Sequence, residues 1–214
     1  MNAATDQLEI EQKYDAGPDF ELPDLGKLAG YSVTEPETFH MNATYFDTDD
    51  LRLAANKVTL RRRTGGEDDA WHLKLPVRPG TRRERHLPLE PDTGAGTSAG
   101  VRTVPEEMQA MVAEFTGGKP LRPIVQLNTT RVIRRLTTPG GQARAEVADD
   151  HVTGYRLPAG AQPTAAEPLT WHEIEVELMS GEPDVLGAAG DLLKAAGARP
   201  SASASKLSRV LEHS

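Results

Sequence analysis

Residues 8–14 read Leu-Glu-Ile-Glu-Gln-Lys-Tyr, and the run Glu9-Ile10-Glu11-Gln12-Lys13 within them decides how the rest of the chain is read. In a β-strand alternate side chains share a face. Glu9, Glu11 and Lys13 then point one way, while Leu8, Ile10 and Tyr14 point the other, toward a core. Two carboxylates beside an ammonium are what a metal-phosphate site needs, but a single alternating charged strand is most simply a solvated sheet face. The rest of the chain has to decide between the two.

Working outward, the same alternation recurs. Lys57, Thr59, Arg61 and Arg63 oppose Val58 and Leu60; His72 and Lys74 oppose Trp71, Leu73 and Leu75; Glu173, Glu175 and Glu177 oppose Ile174, Val176 and Leu178. Two strands present acids and two present bases. β-branched and aromatic content with period-two alternation predicts strands at 7–14, 38–47, 57–64, 70–75, 83–89, 122–136, 142–157 and 169–178. Helical periodicity is confined to 104–115 (Val104, Met108, Met111, Val112, Phe115) and 183–197 (Val185, Leu186, Ala189, Leu192, Leu193), the latter ending at Gly197. Pro/Gly/Asp-rich connections fall at 15–26, 64–69, 76–82, 91–100 and 158–168. The chain reads as a largely antiparallel β protein, and no linker is long enough to divide two cores.

Two architectures fit this pattern. A sandwich puts the apolar faces inside and leaves the charges in water. A closed barrel with a polar interior reverses the geometry, and its apolar outer wall must then be covered, for which the two amphipathic helices are available. Packing bases together inside is costly, since like charges roughly 6 Å apart at an effective dielectric near 20 repel by about 3 kcal/mol. Such a lumen implies a polyanionic ligand, with divalent metal on the acids bridging to phosphate oxygens.

Composition narrows the chemistry further. With 214 residues and 37% hydrophobic content the chain suits one globular domain. It has no cysteine, so any metal uses oxygen or imidazole ligands, and hard cations are favoured. The net charge of −8, from 24 Lys+Arg against 32 Asp+Glu, argues against nucleic acid as a partner. Only 7 of those 24 are lysines, which draws attention to Lys13, Lys74 and Lys206 in charged strand rows. The start is neither basic nor strongly apolar, and no stretch approaches the roughly 20 apolar residues of a membrane span. The expected compartment is the cytoplasm, with no membrane partner; nothing in the sequence points to an oligomeric state.

In this form the residues resemble the CYTH domain family, the triphosphate tunnel metalloenzymes. The Glu9-x-Glu11-x-Lys13 run is similar to that family's N-terminal signature, and Tyr45-Phe46-Asp47-Thr48 with Leu51 resembles its second segment. Leu60-Arg61-Arg62-Arg63 looks like its paired-arginine strand and Trp71-His72-Leu73-Lys74 its lysine strand. Arg131, Asp149-Asp150, the acidic strand Glu173 to Leu178 and Ser205-Lys206-Leu207 follow in the same order, from residue 8 to about 210.

The resemblance implies a mainly β (α+β) fold: an eight-stranded antiparallel barrel, open at its ends, with flanking helices, in one domain over 1–214 with its core at about 7–211. It implies that Lys13, Arg61, Arg63, Lys74, Arg131 and Lys206 hold the phosphate oxygens of a linear triphosphate, arginine as a planar fork and lysine as a mobile point charge. Either Arg83 or Arg85 joins them from the run 82–85. Glu9, Glu11, Glu175 and Glu177 would hold Mg²⁺ or Mn²⁺ or orient the attacking water, with Asp149 or Asp150: strand parity with Arg144 and Glu146 favours Asp150, sequence context Asp149. Glu9, Glu11, Lys13 and Lys74 carry the catalysis. Glu173 reads as a rim acid as readily as a ligand, Arg134 and Arg135 as surface residues, Tyr45 and Asp47 as structural, and His72 and His172 as hydrogen-bonded structural residues.

The expected activity is metal-dependent hydrolysis of tripolyphosphate or of an organic triphosphate such as thiamine triphosphate. The alternatives are a class IV-type adenylate cyclase and a non-catalytic polyphosphate or nucleotide binder. The loops at 64–69 and 91–103 are expected to shape the tunnel mouth and select the group attached to the triphosphate. Competing motifs fail: Gly117-Gly118-Lys119-Pro120 lacks the P-loop spacing, and neither a His-Glu-x-x-His nor a Gly-x-Ser-x-Gly pattern occurs.

Overall fold

A computed structural model describes residues 5–67, 69–89, 103–158 and 167–213. Eight long strands, β1 (Thr5–Ala16), β3 (Glu37–Asp47), β4 (Thr59–Thr64), β5 (Ala70–Arg78), β6 (Thr81–Pro88), β7 (Arg122–Thr137), β8 (Ala143–Arg156) and β9 (Leu169–Leu178), form a closed antiparallel barrel. Their order around the ring is β1-β6-β5-β4-β3-β7-β8-β9. β1 closes it, pairing with β6 through Thr5–Ile10 and with β9 through Glu11–Ala16. Closure removes the free edges that an open sheet of this size would expose. Two short strands, β2 (Ser32–Val33) and β10 (Arg199–Pro200), add to β7 and β1.

The apolar faces of these strands point outward, and helices cover them. α4 (Asp184–Ala195) sets Val185, Leu186, Ala189 and Leu193 on Tyr14, Val147, Ile174 and Val176 of the β1-β9-β8 wall. The expected helix at 104–115 is two short ones, α2 (Glu106–Met111) and α3 (Ala113–Thr116), interrupted at Val112. Val112 leaves helical geometry (φ −108°, ψ 4°) yet stays fully buried, so the break keeps Met108 and Val112 against Leu60, Trp71 and Leu73. Each such buried side chain contributes about 1.5–3 kcal/mol.

Two further short helices complete the fold. α1 (Arg52–Ala55) follows β3 and is capped by the fully buried Asp47, whose carboxylate accepts from the backbone N–H of Leu53 (2.8 Å) and Ala54 (2.9 Å). α5 (Lys206–Glu212) begins with a capping box in which Ser205 and Ser208 bond reciprocally. Its Leu207 and Val210 pack against Leu127, Val152 and Trp171, which share the inward parity of Arg131, Asp150 and Glu173. The helix therefore fills one end of the barrel, correcting the expectation of a tunnel open at its ends. Gly154 makes room for it: a Cβ there would lie 2.6 Å from Val210 Cγ2.

Lys206 stands at the start of this helix and not in a strand row, because Ser205 caps a helix there. Lys57 also leaves the row it was placed in, since it precedes β4 with a φ of 59° and is exposed. Residue 68 of the 64–69 connection, residues 91–102 of 91–103 and residues 159–166 of 158–168 lie outside the described residues. Among the described residues no helix is long and apolar enough to cross a membrane.

Candidate active site

The inward side chains converge on one cavity of about 420 Å³ inside the barrel. Glu9, Lys13, Arg61, Arg63, Lys74, Arg131, Glu175, Glu177 and Lys206 line it. Glu11 shares the face of its neighbours on β1 and accepts from Lys13 Nζ at 2.8 Å. Asp150, fully buried, reaches the same lumen through Arg131. Strand pleating alone explains this convergence: directly opposite residues share a face, so Lys13↔Glu175 and Arg131↔Asp150 set opposite charges side by side, while Glu11↔Glu177 sets two acids together.

The cations are spoken for by acids. Lys13 bridges Glu11 and Glu175, and Lys74 donates to Glu9 and lies 3.6 Å from Glu84. Arg131 grips Asp150 with two bonds (Nε–Oδ1 2.7 Å, Nη2–Oδ2 2.6 Å) and reaches Glu175 at 2.6 Å. Lys206 contacts Asp150 (2.9 Å), Glu173 (2.6 Å) and Glu175 (2.8 Å). Burial opposes every one of these charges, and the partners outweigh it. Lys13 and Lys206 are held above the usual lysine range by their carboxylates, while Glu175, Asp150 and Glu11 are held below the usual carboxylate range by the adjoining lysines and by Arg131. Arg61 donates to the Tyr45 hydroxyl at 3.2 Å, so Tyr45 lines the lumen, whereas Asp47 is structural as expected.

A second group is made of acids with too few cations. Glu177 faces Glu11 across the β1-β9 ladder, and its carboxyl is pushed up to about 7 by burial and by the nearby Glu9, Glu11 and Glu84. Glu9 is buried; Lys74 serves its Oε1, while its Oε2 has no hydrogen-bond partner among the described residues. An orphaned buried carboxylate oxygen beside a carboxyl that resists ionisation fits a divalent cation with oxygen ligands. Asp150, Glu173 and Glu175 place their oxygens within 4.8 Å of one another, also close enough for an ion.

Several placements differ from the sequence expectation. Neither Arg83 nor Arg85 enters the lumen, because Glu84 pairs opposite the inward Lys74, which sends Arg82, Glu84 and His86 inside and the two arginines outside. Arg85 Nη1 lies 4.0 Å from Met111 Sδ of α2. Asp149 points outward for the same reason, Asp150 being the partner opposite Arg131. Glu173 is buried inside, accepting from Trp171 Nε1 at 2.5 Å, and is not a rim acid. Arg135 joins Glu37, Glu67 and Glu146, the last of which lines the cavity.

Sequence reasoning also passed over Glu84, which is buried and accepts from His72 Nδ1–H at 3.1 Å, with His86 Nε2 at 3.2 Å. Burial, aided by Arg61 and Arg63 and opposed by Glu84, pushes His72 down to about 3, so it is neutral near neutrality. The signal for Glu84 was its opposition to Lys74 across the hairpin, readable only once the turn at Gly80 (φ 70°) is known.

Fold and site together define a closed β-tunnel whose lumen carries dense, paired charge of both signs. The chain belongs to the CYTH family: the CYTH domain matches it over residues 7–211. It is 36% identical over 217 residues to two uncharacterised Mycobacterium tuberculosis proteins, MT2285 of strain CDC 1551 / Oshkosh and Rv2226 of strain H37Rv. The match takes in 95% of this chain and 40% of each relative, so the chain spans about two fifths of their length. Among solved structures, a candidate adenylate cyclase from Bacillus halodurans superposes with a TM-score of 0.60 at 20% identity, covering 95% of this chain and 97% of that one. HpAC1 from Hippeastrum, a candidate adenylyl cyclase described as having a dominant triphosphatase activity, gives 0.56 at 18% identity, with 96% and 95% covered. At these identities the structural likeness speaks for the fold.

Proposed function

We propose that the chain is a divalent-metal-dependent hydrolase of a triphosphate, working as one tunnel unit over about 7–211. The observation that carries this reading is the convergence of Lys13, Arg61, Arg63, Lys74, Arg131 and Lys206 on one enclosed cavity beside a surplus of carboxylates. Without ligand, lysines and acids neutralise each other. A polyanion entering the lumen competes for Lys13, Lys74 and Lys206, and each lysine it draws away releases a carboxylate for metal. Anion and cation are then mutually required, because either alone leaves buried charge uncompensated.

In this reading Glu9, Glu11 and Glu177 hold Mg²⁺ or Mn²⁺, with Asp150 and Glu175 available to a second ion. The bound metal supplies Lewis-acid polarisation of the terminal phosphoryl group. Arg61, Arg63 and Arg131 fork onto phosphate oxygens and stay charged at any working pH, fixing the triphosphate along the barrel axis. Lys13 and Lys74 stabilise charge on the departing diphosphate, and a carboxylate freed from its lysine accepts the proton of the attacking water. We place this reaction in the cytoplasm, with a triphosphate-bearing small molecule as the partner.

A panel of tripolyphosphate, thiamine triphosphate and ATP with Mg²⁺ or Mn²⁺, following phosphate, pyrophosphate and cyclic AMP, tests the proposal. Phosphate release from at least one substrate is expected. Cyclic AMP with pyrophosphate would instead make the chain a cyclase, and binding without turnover a polyphosphate module. Glu11→Gln and Lys74→Ala should each lower kcat/KM by at least 100-fold, about 2.7 kcal/mol of transition-state stabilisation; unchanged activity in both would sink the tunnel assignment.

A further inference from the structure

The outer wall of the barrel carries a second cluster that the tunnel chemistry does not use. Asp149 and His151 project outward from β8, and His172 from β9, on the side opposite Asp150 and Glu173. His172 Nε2 lies 2.7 Å from Asp149 Oδ1, and His151 Nε2 lies 3.8 Å from the same oxygen. The two imidazoles stack at 4.1 Å between centroids with planes 19° apart. One ligand atom from each of the three residues falls within 4.8 Å of the others.

The hydrogen-bond pattern around His172 fixes its ring so that Nε2 is the atom offered to a metal. Its Nδ1 faces the carbonyl oxygen of Gly17 at 3.4 Å, and a carbonyl only accepts, so Nδ1 carries the hydrogen. Nε2 faces an acceptor-only carboxylate at 2.7 Å, a hydrogen-bond length, so in the metal-free chain a proton bridges the two and a divalent ion ligated by both would displace it. A ring N–H given to a backbone carbonyl is also the arrangement that orients histidine ligands in metal sites. His172 is held further by an edge-on contact with Phe20, 5.7 Å between centroids. His151, by contrast, is 63% exposed and has room to turn its Nε2 onto an ion. The cluster borders a concavity of about 900 Å³, which leaves the outer coordination positions open to water or a small ligand.

We propose that Asp149, His151 and His172 form a transition-metal site on the outer wall, separate from the tunnel. Two imidazoles and one carboxylate suit Zn²⁺, Co²⁺ or Ni²⁺ and not Mg²⁺, whose preference is for oxygen alone. The ion would tie β8 and β9 together behind Asp150 and Glu173, and through His172 would hold the segment following β1.

Co²⁺ titration of the metal-stripped chain, read by visible d–d absorption and reversed by Zn²⁺, tests this. One equivalent should bind in the wild type and equally in Glu11→Gln, whose change lies in the tunnel. His151→Ala and Asp149→Asn should bind at least tenfold more weakly. His151 is exposed, so its variant should fold as the wild type does, with circular dichroism as the check. Absence of a cobalt band, wild-type affinity in His151→Ala, or loss of the band in Glu11→Gln would each overturn the proposal.

Discussion

Single side chains in the lumen are coupled through charge, which gives their substitution and titration definite signs. Glu177 has its carboxyl pushed up from 4.5 to about 7, so between those values the folded chain keeps a proton that the unfolded chain has lost. Stability of the metal-free protein should therefore fall as pH rises across that window. Urea unfolding of wild type and Glu177→Gln at about pH 5 and about pH 8 should show the variant relieved of this loss, by up to about 3 kcal/mol. Glu11, Asp150 and Glu175 act oppositely and in a more acidic window, their stabilisation being lost as pH falls through their lowered values. Lys206 is the sharpest single test of the network. Lys206→Ala leaves Asp150 to Arg131, Glu175 to Arg131 and Lys13, and Glu173 with the Trp171 N–H in place of its lysine, and should destabilise the ligand-free fold by about 3–5 kcal/mol in denaturant titrations.

Among the elements, α5 has the most to do with the lumen, since it both closes one barrel end and delivers Lys206. Its seat depends on Gly154, where any side chain collides with Val210. Gly154→Ala should cost about 1–3 kcal/mol of stability and loosen the helix, measurable as faster hydrogen exchange across Lys206–Glu212. Ser205→Ala removes the cap of the same helix and should cost about 1 kcal/mol. The two changes act on one element, so their effects should fall short of additive. A barrel wall unaffected by them would keep the amides of β1 and β9 protected.

Over the whole molecule the balance of buried charge makes ligands the chief lever on stability. Tripolyphosphate and Mn²⁺ together should raise the melting temperature by more than the sum of their separate effects, with about 2.7 kcal/mol gained at a hundredfold excess over Kd. Strictly additive shifts in a thermal melt would contradict a mutually required pair. Strand alternation in the sequence determined which residues share a face, the rows Glu9-Glu11-Lys13, Arg61-Arg63 and Glu173-Glu175-Glu177, and the helix over 184–195, because a period of two or 3.6 is a local property of the chain, whereas closure of the barrel decided that these rows face inward. Tertiary structure alone decided what depends on register. Pairing Lys74 with Glu84 and Arg131 with Asp150 turned Arg83, Arg85 and Asp149 outward, since a shift of one residue reverses a whole strand. It alone placed α5 inside the barrel, because seven residues carry too little periodicity to say which surface they cover, and the surface that receives them is assembled from three distant strands.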